Sequence, residues 1–159
     1  MTPSAPTAPT ATNPALDPTA PATPDPVGTL TAPVRLRADH LTPGDVLGAV
    51  RATPSLSWEV PTAPAGWTQT SAEIELTRGT VGGPTTTSTV RTTGATSTFL
   101  PWPATPLTSR ERVTWRVRVT GTAADGAATT SPWSAPALIE TGLLDRTDWT
   151  ARPVTPAAA

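Results

Sequence analysis

Residues Val113 to Val119 read Val-Thr-Trp-Arg-Val-Arg-Val, a strict alternation of apolar and polar side chains. A period of two belongs to a strand with one face turned inward, here Val113, Trp115, Val117 and Val119. A helix cannot use that spacing, because it would scatter the four apolar residues around its surface. Beyond this strand, Ser131-Pro132-Trp133-Ser134 stands where a neighbouring strand is expected to begin.

The same alternation recurs upstream in shorter pieces. Val34 and Leu36 alternate with Arg35 and Arg37; Leu56, Trp58 and Val60 with Ser57 and Glu59; Ala72, Ile74 and Leu76 with Glu73 and Glu75. Thr86 to Arg91 is Thr-rich and more weakly patterned, as an edge strand would be. Thr96 to Leu100 makes a further expected strand, stopped by Pro101, and Ala137 to Glu140 closes the set. Turns fall at Gly79, Gly82-Gly83-Pro84, Gly94 and Asp125-Gly126. Seven short strands over roughly 115 residues predict an all-β, immunoglobulin-like or fibronectin type III-like β-sandwich. Its core is expected to hold Leu56, Trp58, Ile74, Leu76, Trp115 and Val117, with Trp58 and Trp115 on the inner faces of opposite sheets. Truncating either tryptophan to Ala is expected to cost roughly 3–5 kcal/mol.

Composition narrows the rest. The 159 residues allow one domain of ordinary size. Only 14% are charged and the net charge is −1, so no basic field exists to attract nucleic acid or an anionic membrane. The absence of Cys removes disulfides, thiolate nucleophiles and Cys-ligated metals, and leaves the redox compartment open. All eleven basic residues are Arg, which together with abundant Ala, Pro and Thr is the mark of a GC-rich, bacterial coding bias. Residues 1–32 are a Pro/Ala/Thr-rich leader expected to be disordered, since they hold too little apolar surface to offset the entropy of ordering. They lack the basic start and apolar run of a secretory signal. No stretch approaches the roughly 20 apolar residues of a membrane-spanning helix, so a cytoplasmic location is the expectation. The expected sandwich is 33–144, and 145–159 forms a linker or tail.

Several of these segments, taken in order, resemble one family. Pro33-Val34-Arg35-Leu36-Arg37-Ala38-Asp39-His40-Leu41, Leu47-Gly48 and Pro54-Ser55-Leu56-Ser57-Trp58-Glu59 are similar to the opening of bacterial α-L-rhamnosidases. So are Gly66-Trp67-Thr68-Gln69-Thr70 leading into Ile74-Glu75-Leu76, Leu100-Pro101-Trp102 with Leu107, and Trp115-Arg116-Val117-Arg118-Val119. Ser131-Pro132-Trp133-Ser134, Glu140-Thr141-Gly142-Leu143-Leu144 and Asp148-Trp149 complete the series. The resemblance implies the N-terminal fibronectin type III-like module of these glycoside hydrolases. Two departures stand out: Val113 and Ala72 occupy positions where that family usually has Tyr. The resemblance also implies that catalysis belongs elsewhere, in a large α/α-barrel carrying the acid and base carboxylates of an inverting hydrolase. No residue here matches that barrel, so no catalytic residue is carried over.

The remaining candidates for chemistry are few. Glu73 and Glu75 share one strand face, but in the expected pairing they lie opposite Arg116 and Arg118, as exposed ion pairs that hold register. A flat, wet sheet cannot raise a carboxyl's pKa for acid catalysis. His40 is the single histidine and is expected in a turn, with neither a nucleophile elbow nor metal-ligand spacing around it. Trp133 is expected to lie over the Arg116 and Arg118 guanidiniums, within about 6 Å of each. Trp67 and Trp102 lie in or near loops, where they either cap the sandwich and dock a neighbouring domain or offer faces for sugar stacking. Asp145 and Asp148 are read as simple loop residues. No cofactor and no metal is expected.

The function expected is that of a non-catalytic module that packs on and positions a rhamnoside-hydrolysing domain, present in cis or as a split chain. The alternative is a free-standing carbohydrate-binding or cell-surface interaction domain, with a rhamnose-containing glycan as partner.

Overall fold

The computed structural model describes residues 28–39, 41 and 45–152, so His40 and both tails lie outside the described residues. Among the described residues there are eight strands: β1 Val34–Ala38, β2 Val46–Ala49, β3 Leu56–Glu59, β4 Thr68–Gly79, β5 Thr85–Thr93, β6 Arg112–Thr122, β7 Ala128–Thr130 and β8 Ala137–Thr141. β1 and β3 form one small antiparallel sheet. The larger sheet runs β2-β8-β6-β4-β5, with β7 added to β6 beyond β8.

The long pair β4 and β6 is the spine. Its register places Ile74 opposite Val117 and Leu76 opposite Trp115, so the alternating residues of both strands turn one apolar face inward. Against that face the small sheet sets Leu36, Ala38, Leu56 and Trp58, and the two layers share one continuous core. Trp58 and Trp115 are both buried, on opposite layers. Burying side chains of this size supplies most of the drive to fold, at roughly 1.5–3 kcal/mol per large apolar residue.

Three local features depart from the sequence reading. Thr96 to Leu100 does not become a strand: it makes one bridge, Leu100 to Leu56. Phe99 adopts a left-handed conformation (φ 52°), which breaks any ladder there. The segment is held instead by Trp58 N–H donating to Ser97 O and by Gln69, whose side-chain amide donates to Gly94 O and Thr96 O.

In β1, Val34 is 40% exposed rather than buried. Val34 pairs with Glu59 but Arg37 pairs with Ser57, so one extra residue is accommodated between them. Arg35, at φ 53°, forms that bulge and turns Val34 outward.

The third difference is the pair of strands that alternation did not mark, β2 and β7. β2 lies parallel to β8, with Val46 beside Ile139 and Ala49 beside Thr141. β7 extends the far end of β6, Thr130 facing Thr120.

Candidate functional site

The outer face of the large sheet carries the charged ladder. Glu73 lies opposite Arg118 and Glu75 opposite Arg116 in the β4–β6 register. Arg118 Nε donates to Glu73 Oε2 at 2.7 Å, and Arg116 donates from Nε and Nη2 to the two Glu75 oxygens at 2.8 and 3.0 Å. Arg91 of the edge strand approaches Glu73 from the other side at 3.7 Å. The bond to Glu75 raises the Arg116 pKa above the ordinary arginine value, against a smaller opposing effect of burial. Both carboxylates are thus engaged by guanidiniums on an open surface, as cross-strand pairs that hold the register of β4 and β6.

Trp133 completes this face. Prolines at 132 and 136 prevent residues 131–136 from forming a regular strand beside β6. Two serines substitute for it. Ser131 and Ser134 Oγ each accept a backbone N–H of β6, from Val119 and Val117, at 3.0 Å, and their own N–H groups return to the carbonyls of those residues. The edge of β6 is therefore satisfied from β8 through the two serines to β7. Between those anchors Trp133 lies over the ladder, its ring centroid 4.8 Å from Arg116 Cζ and 4.6 Å from Arg118 Cζ.

The loop tryptophans are packed into the ends of the sandwich. Trp102 is 9% exposed and its Nε1 donates to Thr105 O at 2.9 Å. Trp67 is half-buried, donates to Thr129 Oγ1 at 3.1 Å and lies against Gly121. Neither indole is laid open as a platform for a pyranose ring.

Two polar clusters were not anticipated. Arg78 and Glu111 form a bidentate pair at 2.6 and 3.0 Å, their side chains 19% and 11% exposed. The remaining Arg78 donors reach Thr105 O, Thr105 Oγ1 and Pro106 O, and Glu111 Oε2 also accepts from Thr108 N and Oγ1. Burial acts to raise the Glu111 pKa, but the bonds from Arg78 and Thr108 outweigh it and hold the carboxyl below its usual value. A signal for this pair does exist in the sequence. Arg78 continues the inward set Ala72, Ile74, Leu76, and Glu111 precedes Val113 by the same step of two, so both sit at inward-facing parity.

The second cluster corrects the reading of Asp145 and Asp148 as simple loop residues. They bracket a 3₁₀ turn, Arg146–Asp148, with Asp145 Oδ1 accepting from Thr147 N at 2.8 Å and Asp148 Oδ2 accepting from Asp145 N. The Thr147 bonds, side chain and backbone, hold the Asp145 carboxyl below its ordinary range. Ser109 donates to Asp148 and accepts from Leu144 N, which ties the turn to the loop before β6.

Two surface features remain. Leu41, Leu47 and Val50 are 48%, 70% and 85% exposed and line a shallow apolar groove with Arg51 and Asp39. Between β1, β3 and residues 98–99 lies a recess of about 250 Å³ lined by Arg35, Arg37, Glu59 and Phe99. Among the described residues, three of the four non-glycine residues with left-handed backbone, Arg35, Asp39 and Phe99, line this one recess. Each such conformation costs roughly 1–2 kcal/mol. Among the described residues no group of three or more His, Cys, Asp or Glu is arranged to hold a metal, and no helix is long and apolar enough to cross a membrane.

Two stacked β-layers with a tryptophan buried in each, and β6 completed by a Ser-Pro-Trp-Ser segment, define an immunoglobulin-like module. The chain belongs to the family described as the Rha78A-like, N-terminal immunoglobulin domain, whose model matches residues 33–145. It is 34% identical over 108 residues to an α-L-rhamnosidase of Streptomyces avermitilis, covering 67% of this chain and 10% of that enzyme. The crystal structure of native α-L-rhamnosidase from Aspergillus terreus superposes with a TM-score of 0.62 at 30% identity, over 80% of this chain and 14% of that one. The S. avermitilis enzyme complexed with L-rhamnose gives 0.60 at 30% identity, over 76% and 11%. The chain thus spans about a tenth of the length of its curated relative and corresponds to the non-catalytic N-terminal module.

Proposed function

We propose that this module, with 33–144 as its folded unit, packs on and positions the rest of an α-L-rhamnosidase polypeptide. A rhamnose-containing glycan would be the substrate of the assembled enzyme rather than a ligand of Trp67 or Trp102. The observation that supports this most is the exposed run Leu41, Leu47 and Val50 around β2. Three large apolar side chains open to water on one groove are costly unless another surface covers them. The charged ladder on the outer sheet face, by contrast, is already satisfied within the module. Arg51, at the rim of the groove, offers an unshielded donor for polar contacts at the edge of such an interface.

The test adds the purified chain to an α-L-rhamnosidase lacking its own N-terminal module and measures association by calorimetry. Saturable binding is expected, lost in a Leu47→Asp/Val50→Asp variant that retains the parent's far-UV dichroism. Absence of binding by the folded parent chain overturns the docking role. Release of rhamnose from an aryl rhamnoside by the chain alone overturns the non-catalytic one.

A further inference from the structure

We propose that the recess between β1, β3 and Phe99 binds a single carboxylated sugar ring, such as a terminal uronic acid residue of a glycan. The recess meets the docking groove around β2 at Asp39, which lines both, but neither Arg35 nor Arg37 lines that groove.

The donors come first. A guanidinium carries five N–H groups in a planar fork that matches a carboxylate. Arg78 spends those donors internally, on Glu111, Thr105 and Pro106. Arg35 and Arg37 do not. Both approach the same oxygen, Glu59 Oε1, at 3.3 and 3.9 Å, with side chains 57% and 33% exposed. Two cations share one carboxylate oxygen, and both side chains line the recess.

The backbone has been bent to make this arrangement. The Arg35 bulge sets its guanidinium beside Glu59 while Arg37 remains beside Ser57. Phe99, 52% exposed, is held at the rim in its left-handed conformation by its N–H donating to Ser57 Oγ at 2.9 Å. Asp39, also left-handed, is fastened at the floor by its Oδ1 accepting from Ser55 N and by its N–H donating to Ser55 O. Unfavourable backbone conformations concentrated around one cavity are characteristic of ligand clamps.

The ligand class follows from what the lining offers. A fork-shaped pair of cations selects a planar anion, and a half-exposed aromatic ring suits the apolar face of a pyranose. Glu59 and Ser57 provide acceptors for ring hydroxyls. At about 250 Å³ the recess falls below the roughly 300–1,000 Å³ of drug-sized pockets, leaving room for one ring rather than an oligosaccharide. Glu59 is an internal competitor for the same guanidiniums, so the site should bind weakly, in the millimolar range.

The test is a ¹H–¹⁵N NMR titration of the full chain with methyl β-D-glucuronide, methyl β-D-glucoside and acetate. The expected result is saturable shifts at Arg35, Arg37, Ser57 and Phe99 with the glucuronide, and binding at least about tenfold weaker for each of the other two. Arg35→Ala/Arg37→Ala should abolish the shifts. Glu59→Gln should tighten binding several-fold by freeing both guanidiniums, an outcome that a merely structural role for Glu59 does not produce. No saturable shift with the glucuronide overturns the proposal. Equal affinity for acetate overturns the sugar specificity, and equal affinity for the glucoside overturns the role of the arginines.

Discussion

Arg78 and Glu111, 33 positions apart in the chain, meet at the end of the core as a two-bond pair with Nε to Oε1 at 2.6 Å. They continue the inward rows of β4 and β6, Arg78 after Leu76 and opposite the buried Val113, Glu111 one step beyond Val113. The apolar core therefore ends in a polar lid whose donors and acceptors are mutually satisfied, and removing either member strands the other. Arg78→Ala or Glu111→Ala should each lower the free energy of unfolding by roughly 1.5–3 kcal/mol. The double variant Arg78→Met/Glu111→Leu should lose less than the sum of the two, because no unpaired charge is left behind. Urea denaturation of the three proteins measures this.

The same pair makes stability depend on acid. The Glu111 pKa in the folded protein lies below its usual 4.5, so the unfolded chain binds the proton more readily. Its contribution is complete above the unfolded value and is lost as pH falls through the lowered one. Unfolding free energies followed from about pH 6 to about pH 2.5 should fall less steeply below about pH 4.5 in Glu111→Gln than in the parent. Parallel acid limbs in the two proteins would contradict the assignment.

Trp133 lies over the two arginines of the ladder from a segment that is not itself a strand. Trp133→Ala should lower the melting temperature by about 2–5 °C while leaving the β-sheet dichroism intact. Ser134→Ala removes the acceptor for Val117 N–H, a buried donor with no other partner in that direction, and should cost at least as much. Thermal scans of both variants decide the order.

Gly121 lies where β6 passes beneath Trp67. A methyl group there would collide with Thr68 O and with the Trp67 indole. Gly121→Ala should destabilise by roughly 1–3 kcal/mol and displace the indole from Thr129, its hydrogen-bond partner. The Trp67 Nε1–H resonance reports the displacement directly.

How much of this was legible depended on whether burial was written as a period. Alternation puts Glu73, Glu75, Arg116 and Arg118 on outward-facing positions, but it fixes only parity; which Glu meets which Arg is set by the register of β4 against β6. β2 escaped notice because Val46-Leu47-Gly48-Ala49 alternates nothing: a left-handed Gly48 and a register shift break it, and its outward residues are apolar. β7 has three residues, too few for a period to register. Thr96 to Leu100 carried the composition of a strand, yet Phe99 breaks its ladder to reach the Arg35 recess. The Arg35 bulge itself has no sequence mark, since Val-Arg-Leu-Arg reads as an ordinary alternation; it emerges from the pairing of β1 with β3. Arg78 and Glu111 were legible in principle, as charges at inward parity, but only once the two strands were known to be neighbours.

The parallel seam between β2 and β8 has a mechanical consequence. Chain arriving through the small sheet and chain departing after Thr141 are joined across Val46–Ile139, Leu47–Glu140 and Ala49–Thr141. Tension applied at both ends would slide these strands lengthwise and strain all their cross-links together, instead of unzipping them singly. Such a seam would make the module resist stretching along the chain.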